Sequence, residues 1–368
     1  MTILDRYIVR QFLSTFFFGL LAFLMIFLII DMMEKLDDFI DANVPAGTIL
    51  QYYLWFTPEI VKLMTPVAML LAALFVTGRL SNQNELAAIK SSGVSLYRIL
   101  IPFLVVSFLV SGVSVYFNGW LVPFANQKKF AIERAHLHRS GVSFSRFNIF
   151  FQEERTRLVS INFYDSQART ATTVSVQEFA DTNLTVLVRR YDARQMAWLE
   201  EGTEDSLHEG WVLLKGTFRE FGAKQEGVLQ SFDRLSIHSL RITPGDIEKK
   251  QQKPDEMDYT ELKEFIENQQ RSGQDVSRWQ VDFHSKIAFP FASVIVVLFG
   301  VPFGSIRRRS GVAIDFGICV AVTFIYLAFM KTSHVFGYNG DVNPFLTAWL
   351  ANLLFLILGI VNLLRVPK

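Results

Sequence analysis

The residues that could do chemistry in this chain are few, and most are charges beside or inside apolar runs. Glu59 and Lys62 lie three apart, hence on one face of a helix, well inside the apolar stretch from Tyr52 to Gly78. An unpaired charge at membrane depth is costly, so the two are expected to pair with each other or to face a cavity rather than lipid. Asp315 lies one turn into another apolar run, near Arg307, Arg308 and Arg309, and local charge pairing explains it more cheaply than a proton relay. Lys35 closes the first apolar run, and Lys128, Lys129 and Arg134 follow the third. Each of these cations suits a phosphate, and each equally suits a snorkelling anchor at a span end. Nucleophilic and metal chemistry have little to work with. G-x-S-x-G is absent, the six His show no ligand-like spacing, and the single Cys319 sits in an apolar run, which excludes a disulfide framework and a thiolate metal site. No G-x-x-x-x-G-K-[ST] loop is present either, so ATP hydrolysis is not expected of this chain, nor a cofactor.

A bilayer is what would place such charges. The chain is 51% apolar and 19% charged, with 35 Phe among 368 residues, too much apolar surface for one aqueous core. A net charge of +1 gives no basic footprint for nucleic acid. The first uncharged run, Phe12 to Ile30, is 19 residues, against the ~20 that cross ~30 Å of hydrocarbon. It is too long for a signal-peptide core and no small-residue cleavage site follows, so it is expected to be retained. Further runs are Tyr52 to Gly78 (interrupted by Pro58 and Pro66), Ile99 to Val122, Ile287 to Gly304, Val312 to Met330 and Phe345 to Leu364. Six spans in a three-plus-three arrangement result. With the N-terminus inside, the inner segments carry Arg6, Arg10, Arg79, Lys90, Arg98, Arg307, Arg308, Arg309, Arg365 and Lys368, whereas the short outer loops carry little beyond Lys35 and Lys331. Positive charge marks the cytoplasmic side, so both termini are expected there and the middle segment outside.

That middle segment has the two-residue alternation of half-buried strands. Val159, Ile161 and Phe163 alternate with Ser160 and Asn162, Val174 and Val176 flank Ser175, and Leu235 and Ile237 flank Ser236. Asn148–Gln152, Leu184–Arg190, Met196–Leu199 and Trp211–Phe221 are also strand-like. About seven short strands without a long helix suggest a sandwich, jelly roll or barrel. Asp258 to Gln270 changes period: Asp258 and Glu261 form a capping-box pattern ahead of Leu262, Phe265 and Ile266. The expected fold is therefore an α+β membrane protein. Residues 1–123 hold spans one to three, 124–282 an outer β-domain, and 283–368 spans four to six.

Between spans two and three, Asn82 and Glu85 are spaced as a capping box, Leu86 and Ile89 form a short apolar edge, and Gly93 ends the pattern. A short amphipathic helix over 82–92 suits docking into a partner's groove; it equally suits a helix resting on lipid headgroups.

Several stretches carry a resemblance. They are Leu4-Asp-Arg-Tyr-Ile-Val-Arg10, Asn84-Glu-Leu-Ala-Ala-Ile-Lys-Ser-Ser-Gly93, Tyr259-Thr-Glu-Leu-Lys263, His284-Ser-Lys-Ile-Ala-Phe-Pro290, Gly300-Val-Pro-Phe-Gly304 and Ala348-Trp-Leu-Ala-Asn352. In order and from end to end, they resemble the LptF/LptG permease family of the lipopolysaccharide export ABC transporter. The opening motif and Lys35 resemble the LptG branch more than LptF. The resemblance implies a bacterial inner-membrane subunit whose domain 124–282 is periplasmic and β-jellyroll-like, paired with its paralogous permease, an LptB ATPase dimer that uses the ATP, and the bitopic partner LptC with a second β-domain. It implies extraction of lipopolysaccharide from the membrane and delivery to a periplasmic bridge. It places Lys35 at a cationic site for glycolipid phosphates, with Lys62, Lys128, Lys129 and Arg134 as further candidates. It also gives Glu85, with Leu86 and Ile89, the task of coupling to the ATPase. Glu34, Asp37 and Asp38 would partly neutralise Lys35 or recruit divalent cations. The alternative is a membrane-anchored periplasmic scaffold, which needs neither six spans nor charges inside span two. An intramembrane enzyme would need a catalytic pair at one depth, whereas Glu59 and Asp315 are expected near opposite faces.

Overall fold

A computed structural model describes residues 3–136, 149–154, 156–165, 168–180, 183–199, 210–221, 228–237, 240, 242–251, 253–271, 275–305 and 312–365. The chain divides into two compact units, Met1–His138 with Pro254–Lys368, and Arg139–Lys253.

The first unit is helical. Its elements are α1 (Ile3–Asp41), α2 (Ala46–Asn82), α3 (Glu85–Ser91), α4 (Leu96–Tyr116), α5 (Val122–His136), then α7 (Tyr259–Arg271), α8 (Ser277–Ala288), α9 (Ala292–Ser305), α10 (Val312–Tyr338) and α11 (Pro344–Arg365). Among the described residues, six helical segments are long and apolar enough to cross a membrane. They coincide with the six apolar runs but outlast several of them. The first extends to 39 residues, and the third runs unbroken from Leu96 to His136 through a π-helical turn at Phe117–Leu121. Backbone hydrogen bonding does not stop where hydropathy does, so charged ends continue the helix past the hydrocarbon.

Helix α2 is the hub. Pro58 and Pro66 each delete an N–H, yet the helix continues, and Thr57 and Thr65 just before them bond the carbonyls of Tyr53 and Val61 at 2.9 and 2.7 Å. Against α2 lies α9, where Gly300 and Gly304 permit close backbone approach. A Cβ at Gly300 would stand 2.7 Å from Ala73 Cβ, and one at Gly304 2.8 Å from the Leu74 carbonyl. Asn352 ties three elements: it accepts from the Tyr326 hydroxyl at 2.7 Å and donates to the Ala288 carbonyl at 2.6 Å, all buried. Helix α7 opens with the expected capping box: Asp258 Oδ1 accepts from the backbone N–H of Thr260 and Glu261, and Glu261 Oε2 accepts from that of Asp258. Leu262 and Ile266 are buried on its inner face.

Among the described residues, the second unit forms one six-stranded antiparallel sheet in sequential order, β1 (Ile149–Glu154), β2 (Arg157–Asp165), β3 (Thr170–Ala180), β4 (Asn183–Leu199), β5 (Gly210–Glu220) and β6 (Val228–Ile237), followed by the helix α6 (Pro244–Gln251). The jelly-roll-like order expected from the strand count gives way to a meander, because each strand pairs with its neighbours in sequence. Leu184–Arg190 and Met196–Leu199, read as two strands, are one 17-residue strand. Val159, Ile161, Val174, Val176, Met196, Trp211 and Leu213 form its core with Leu240, Ile242 and Ile247, and Trp211 Nε1 donates to the Ile242 carbonyl at 2.5 Å. Arg157, Glu178, Arg189 and Glu220 face one another across successive strands, an alternating row of charge. The unit is narrower than 124–282, since α5 continues the third span and α7 packs with α8.

Candidate functional site

Three helices bring the cationic candidates together. Lys35 lies near the end of α1, Tyr52 near the start of α2 and Glu133 near the end of α5. Lys35 Nζ is 2.7 Å from the Tyr52 hydroxyl, which in turn donates to Glu133 Oε1 at 2.9 Å. The ammonium pairs with Asp31, one turn back, at 3.1 Å and stands 3.9 Å from Glu133. It also sits 5.3 Å from the ring centroids of Tyr52 and Phe56. On Phe56 from α5 lies Lys129, 4.8 Å from the centroid, and Lys129 pairs with Glu59. One aromatic ring therefore serves two ammonium groups, each with its own carboxylate.

The other candidates differ in how far they are committed. Arg134 holds the buried Glu256 through both terminal nitrogens at 3.1 Å. Lys128 is exposed, with Phe124 5.7 Å away. Lys62 makes no ion pair among the described residues, because Glu59, its expected partner, is taken by Lys129 instead. Neither Glu34, Asp37 nor Asp38 supplies the carboxylates beside Lys35; Asp31 and Glu133 do. Arg307, Arg308 and Arg309 lie outside the described residues, as does the side chain of Asp315.

At the other end of the spans, the short helix between α2 and α4 is Glu85–Ser91 rather than 82–92. Its N-cap is Asn84 in the left-handed region at φ 61°, and α2 itself runs through Asn82, so the Asn82–Glu85 capping box does not form. Leu86 is buried and Ile89 packs beside it in the helical core, so the apolar edge faces this chain's own bundle. Glu85 stays half-exposed and accepts from the Tyr7 hydroxyl at 3.0 Å. Nearby Arg98 grips Asp5 through two contacts of 2.8 Å, locking the start of α4 to α1. Sequence reasoning missed Tyr52, Glu133 and Asp5. Asp31 alone left a signal, the four-residue spacing to Lys35.

The sheet unit has an open recess of about 800 Å³ lined by Arg190, Arg194 and Lys215 together with Asp192 and Asp233, and Arg190 pairs with Asp192 at 2.8 Å. Elsewhere, burial pushes the Tyr259 hydroxyl up to about 12 where its ring fills the space left by Gly119 in the π-helical turn.

The comparisons with known proteins converge on one family. A family model described as "Lipopolysaccharide export system permease LptF/LptG" matches residues 6–365. The LptF permease protein of Escherichia coli (strain K12) is 22% identical over 98% of this chain and 94% of its own length. The LptG protein of Haemophilus influenzae is 24% identical over 96% of each. The E. coli K12 LptG protein is 22% identical over 99% of this chain and 98% of its own. Relatives of both branches thus match to the same degree.

Proposed function

Since the chain belongs to the LptF/LptG family of lipopolysaccharide export permeases, we propose that it is one permease subunit of an ABC exporter that takes lipopolysaccharide from the inner membrane to a periplasmic bridge. The single observation that carries this reading is the family match along the whole helical frame, with the sheet inserted between spans three and four. The partners in this reading are the paralogous permease, an LptB ATPase dimer that consumes ATP, and LptC, whose β-domain would extend the sheet at its β1 or β6 edge.

In this mechanism the glycolipid's phosphates compete with carboxylates for cations. Lys35 is a third exposed and already shared between Asp31 and Glu133, so an arriving phosphate exchanges one anionic partner for another rather than meeting a bare charge. Such exchange costs less than stripping water from a free ammonium, and it lets the lipid leave again. Lys128, exposed, is a second phosphate contact, and Lys62 lies deeper on α2. Leu28 and the exposed Phe27 and Ile30 continue α1 below Lys35 as a wall for acyl chains. The recess of the sheet, with its three cations, is the proposed next station. At the inner end, Leu86 and Ile89 anchor the coupling helix, leaving Glu85 to meet a basic groove of the ATPase.

Co-expression with an ATPase partner, followed by site-specific photocrosslinking from position 35, tests the reading. With a second probe at position 215 in the sheet recess, ATP is expected to move lipopolysaccharide crosslinking from position 35 to position 215. A chain that binds envelope proteins through its sheet but never crosslinks lipid would be a scaffold.

A further inference from the structure

Away from the proposed glycolipid path, the helical unit carries a groove of about 420 Å³ between the ends of α1 and α2 that lie beside α3. Two helical stripes wall it. On α1, Tyr7, Arg10, Gln11 and Ser14 recur at the three- and four-residue spacing that puts side chains on one face. On α2, Phe75 and Arg79 are one turn apart. Arg10 and Arg79 stand at matching depth: the uncharged run of α1 begins just after the first, at Phe12, and that of α2 ends just before the second, at Gly78. Both are exposed, and among the described residues neither pairs with a carboxylate; Arg79 Nε reaches the Gln83 amide oxygen at 3.4 Å. Among the described residues Gln11 Oε1, itself buried, has no hydrogen-bond partner, a loss that a donor from outside the chain would repair. Further along α1, toward the middle of the span, Phe17, Phe18 and Leu21 point outward and are exposed.

We propose that this groove binds the headgroup of a membrane phospholipid from the leaflet on the α3 side. Two guanidiniums at interface level suit the phosphodiester, which accepts from both. Gln11 Oε1 needs an N–H or O–H donor, which the ammonium of phosphatidylethanolamine or the glycerol hydroxyls of phosphatidylglycerol supply and the trimethylammonium of phosphatidylcholine does not. Acyl chains then run down the apolar face at Phe17, Phe18 and Leu21. Because Tyr7 in the same wall donates to Glu85, the bound lipid would brace the helix that the functional proposal assigns to coupling. Only the naming of this leaflet as cytoplasmic rests on that proposal; the chemistry of the groove does not.

The test is native mass spectrometry of the full chain released from nanodiscs of phosphatidylethanolamine, phosphatidylglycerol or phosphatidylcholine, with lipopolysaccharide co-purification read on the same samples. We expect a phosphatidylethanolamine or phosphatidylglycerol molecule to survive delipidation, and phosphatidylcholine not to. Arg10→Ala and Arg79→Ala should each weaken retention about tenfold, the loss of one charge-assisted contact. Arg10→Lys and Arg79→Lys, which preserve charge and fold, should hold the lipid, while Gln11→Leu should erase the preference over phosphatidylcholine. Inorganic phosphate at millimolar concentration should not displace it. Undiminished retention in the Arg10→Ala/Arg79→Ala double variant, or displacement by free phosphate, overturns the proposal. Lipopolysaccharide co-purification should be unchanged in every variant, so the failure of one proposal is distinguishable from the failure of the other.

Discussion

Lys129 on α5 and Glu59 on α2, separated by 70 positions in sequence, form an ion pair in which the lysine side chain is only 6% exposed. The pair fixes the third span against the second beside Phe56, whose other neighbouring ammonium is Lys35. A buried charge that loses its partner is far costlier than a pair replaced whole. Glu59→Gln should therefore destabilise the protein by about 3–5 kcal/mol, and adding Lys129→Met should recover most of that loss. Thermal unfolding of the detergent-solubilised variants reads both. A double variant no more stable than Glu59→Gln would mean that the pair's attraction, not the orphaned charge, sets the cost.

Lys35 is held by its neighbours in a way that predicts opposite signs for two substitutions. Lys35→Ala should lower lipopolysaccharide crosslinking or co-purification partially, by the ~1.5–3 kcal/mol of one charge-assisted contact, and Lys35→Asp should lower it further. Lys35→Arg should largely preserve it. Glu133→Gln removes a competing anion 3.9 Å away yet keeps an acceptor for Tyr52, so it should raise lipid retention. Should Lys35→Asp bind and export lipid like the parent, Lys35 is a snorkelling anchor and the rim site belongs to the exposed Lys128.

Glu85 offers its carboxylate at the surface while Leu86 beneath it is buried, so charge and anchoring separate cleanly. Glu85→Lys should leave expression and insertion intact but weaken ATPase association, measured by co-purification. Leu86→Ala should instead destabilise the bundle, at about 2–5 kcal/mol for an emptied core position. If Glu85→Lys recruits and couples the ATPase normally, Glu85 has no coupling role and the helix only packs on its own bundle.

How much of this was legible from sequence depended on the range of the interaction. Six apolar runs announce six helices because every charge inside hydrocarbon is penalised locally, and Asp258 with Glu261 announces α7 because a capping box spans one turn. Strand alternation located the sheet, but the polar stretch Asp192–Gln195 split β4 on paper, since a partner strand on each side sustains a strand whose own pattern is broken. Glu59 shows the opposite limit. Lys62, three residues away, was the obvious partner, yet the pairing went to Lys129, whose approach depends on the packing of α5 on α2. The start of α3 was misplaced because Asn84 in the left-handed region, not Asn82, precedes it. Motifs quoted only for resemblance acquired reasons: Gly300 and Gly304 admit α2, and Asn352 joins α8 to α10.

The glycine pair of α9 gives the last prediction, because one of the three obstacles at Gly300 can yield and none at Gly304 can. At Gly300 a new Cβ meets the Ala73 methyl at 2.7 Å, Leu70 Cδ1 at 3.2 Å and the Leu70 carbonyl at 3.3 Å, of which only Leu70 Cδ1 can rotate away. At Gly304 it meets the Leu74 carbonyl at 2.8 Å, Thr77 Cβ at 3.0 Å and the Gly78 nitrogen at 3.1 Å, none of which moves unless α2 moves. Overpacking of this kind costs about 1–3 kcal/mol, so Gly300→Ala and Gly304→Ala should both lower the unfolding temperature, with Gly304→Ala the worse. Gly112 in α4 is the control: nothing lies within 4 Å of its added Cβ, and alanine is the better helix former by ~1 kcal/mol. Gly112→Ala should therefore not lower the unfolding temperature. Should Gly304→Ala unfold at the parent temperature, α2 and α9 do not approach at the distance their backbones show.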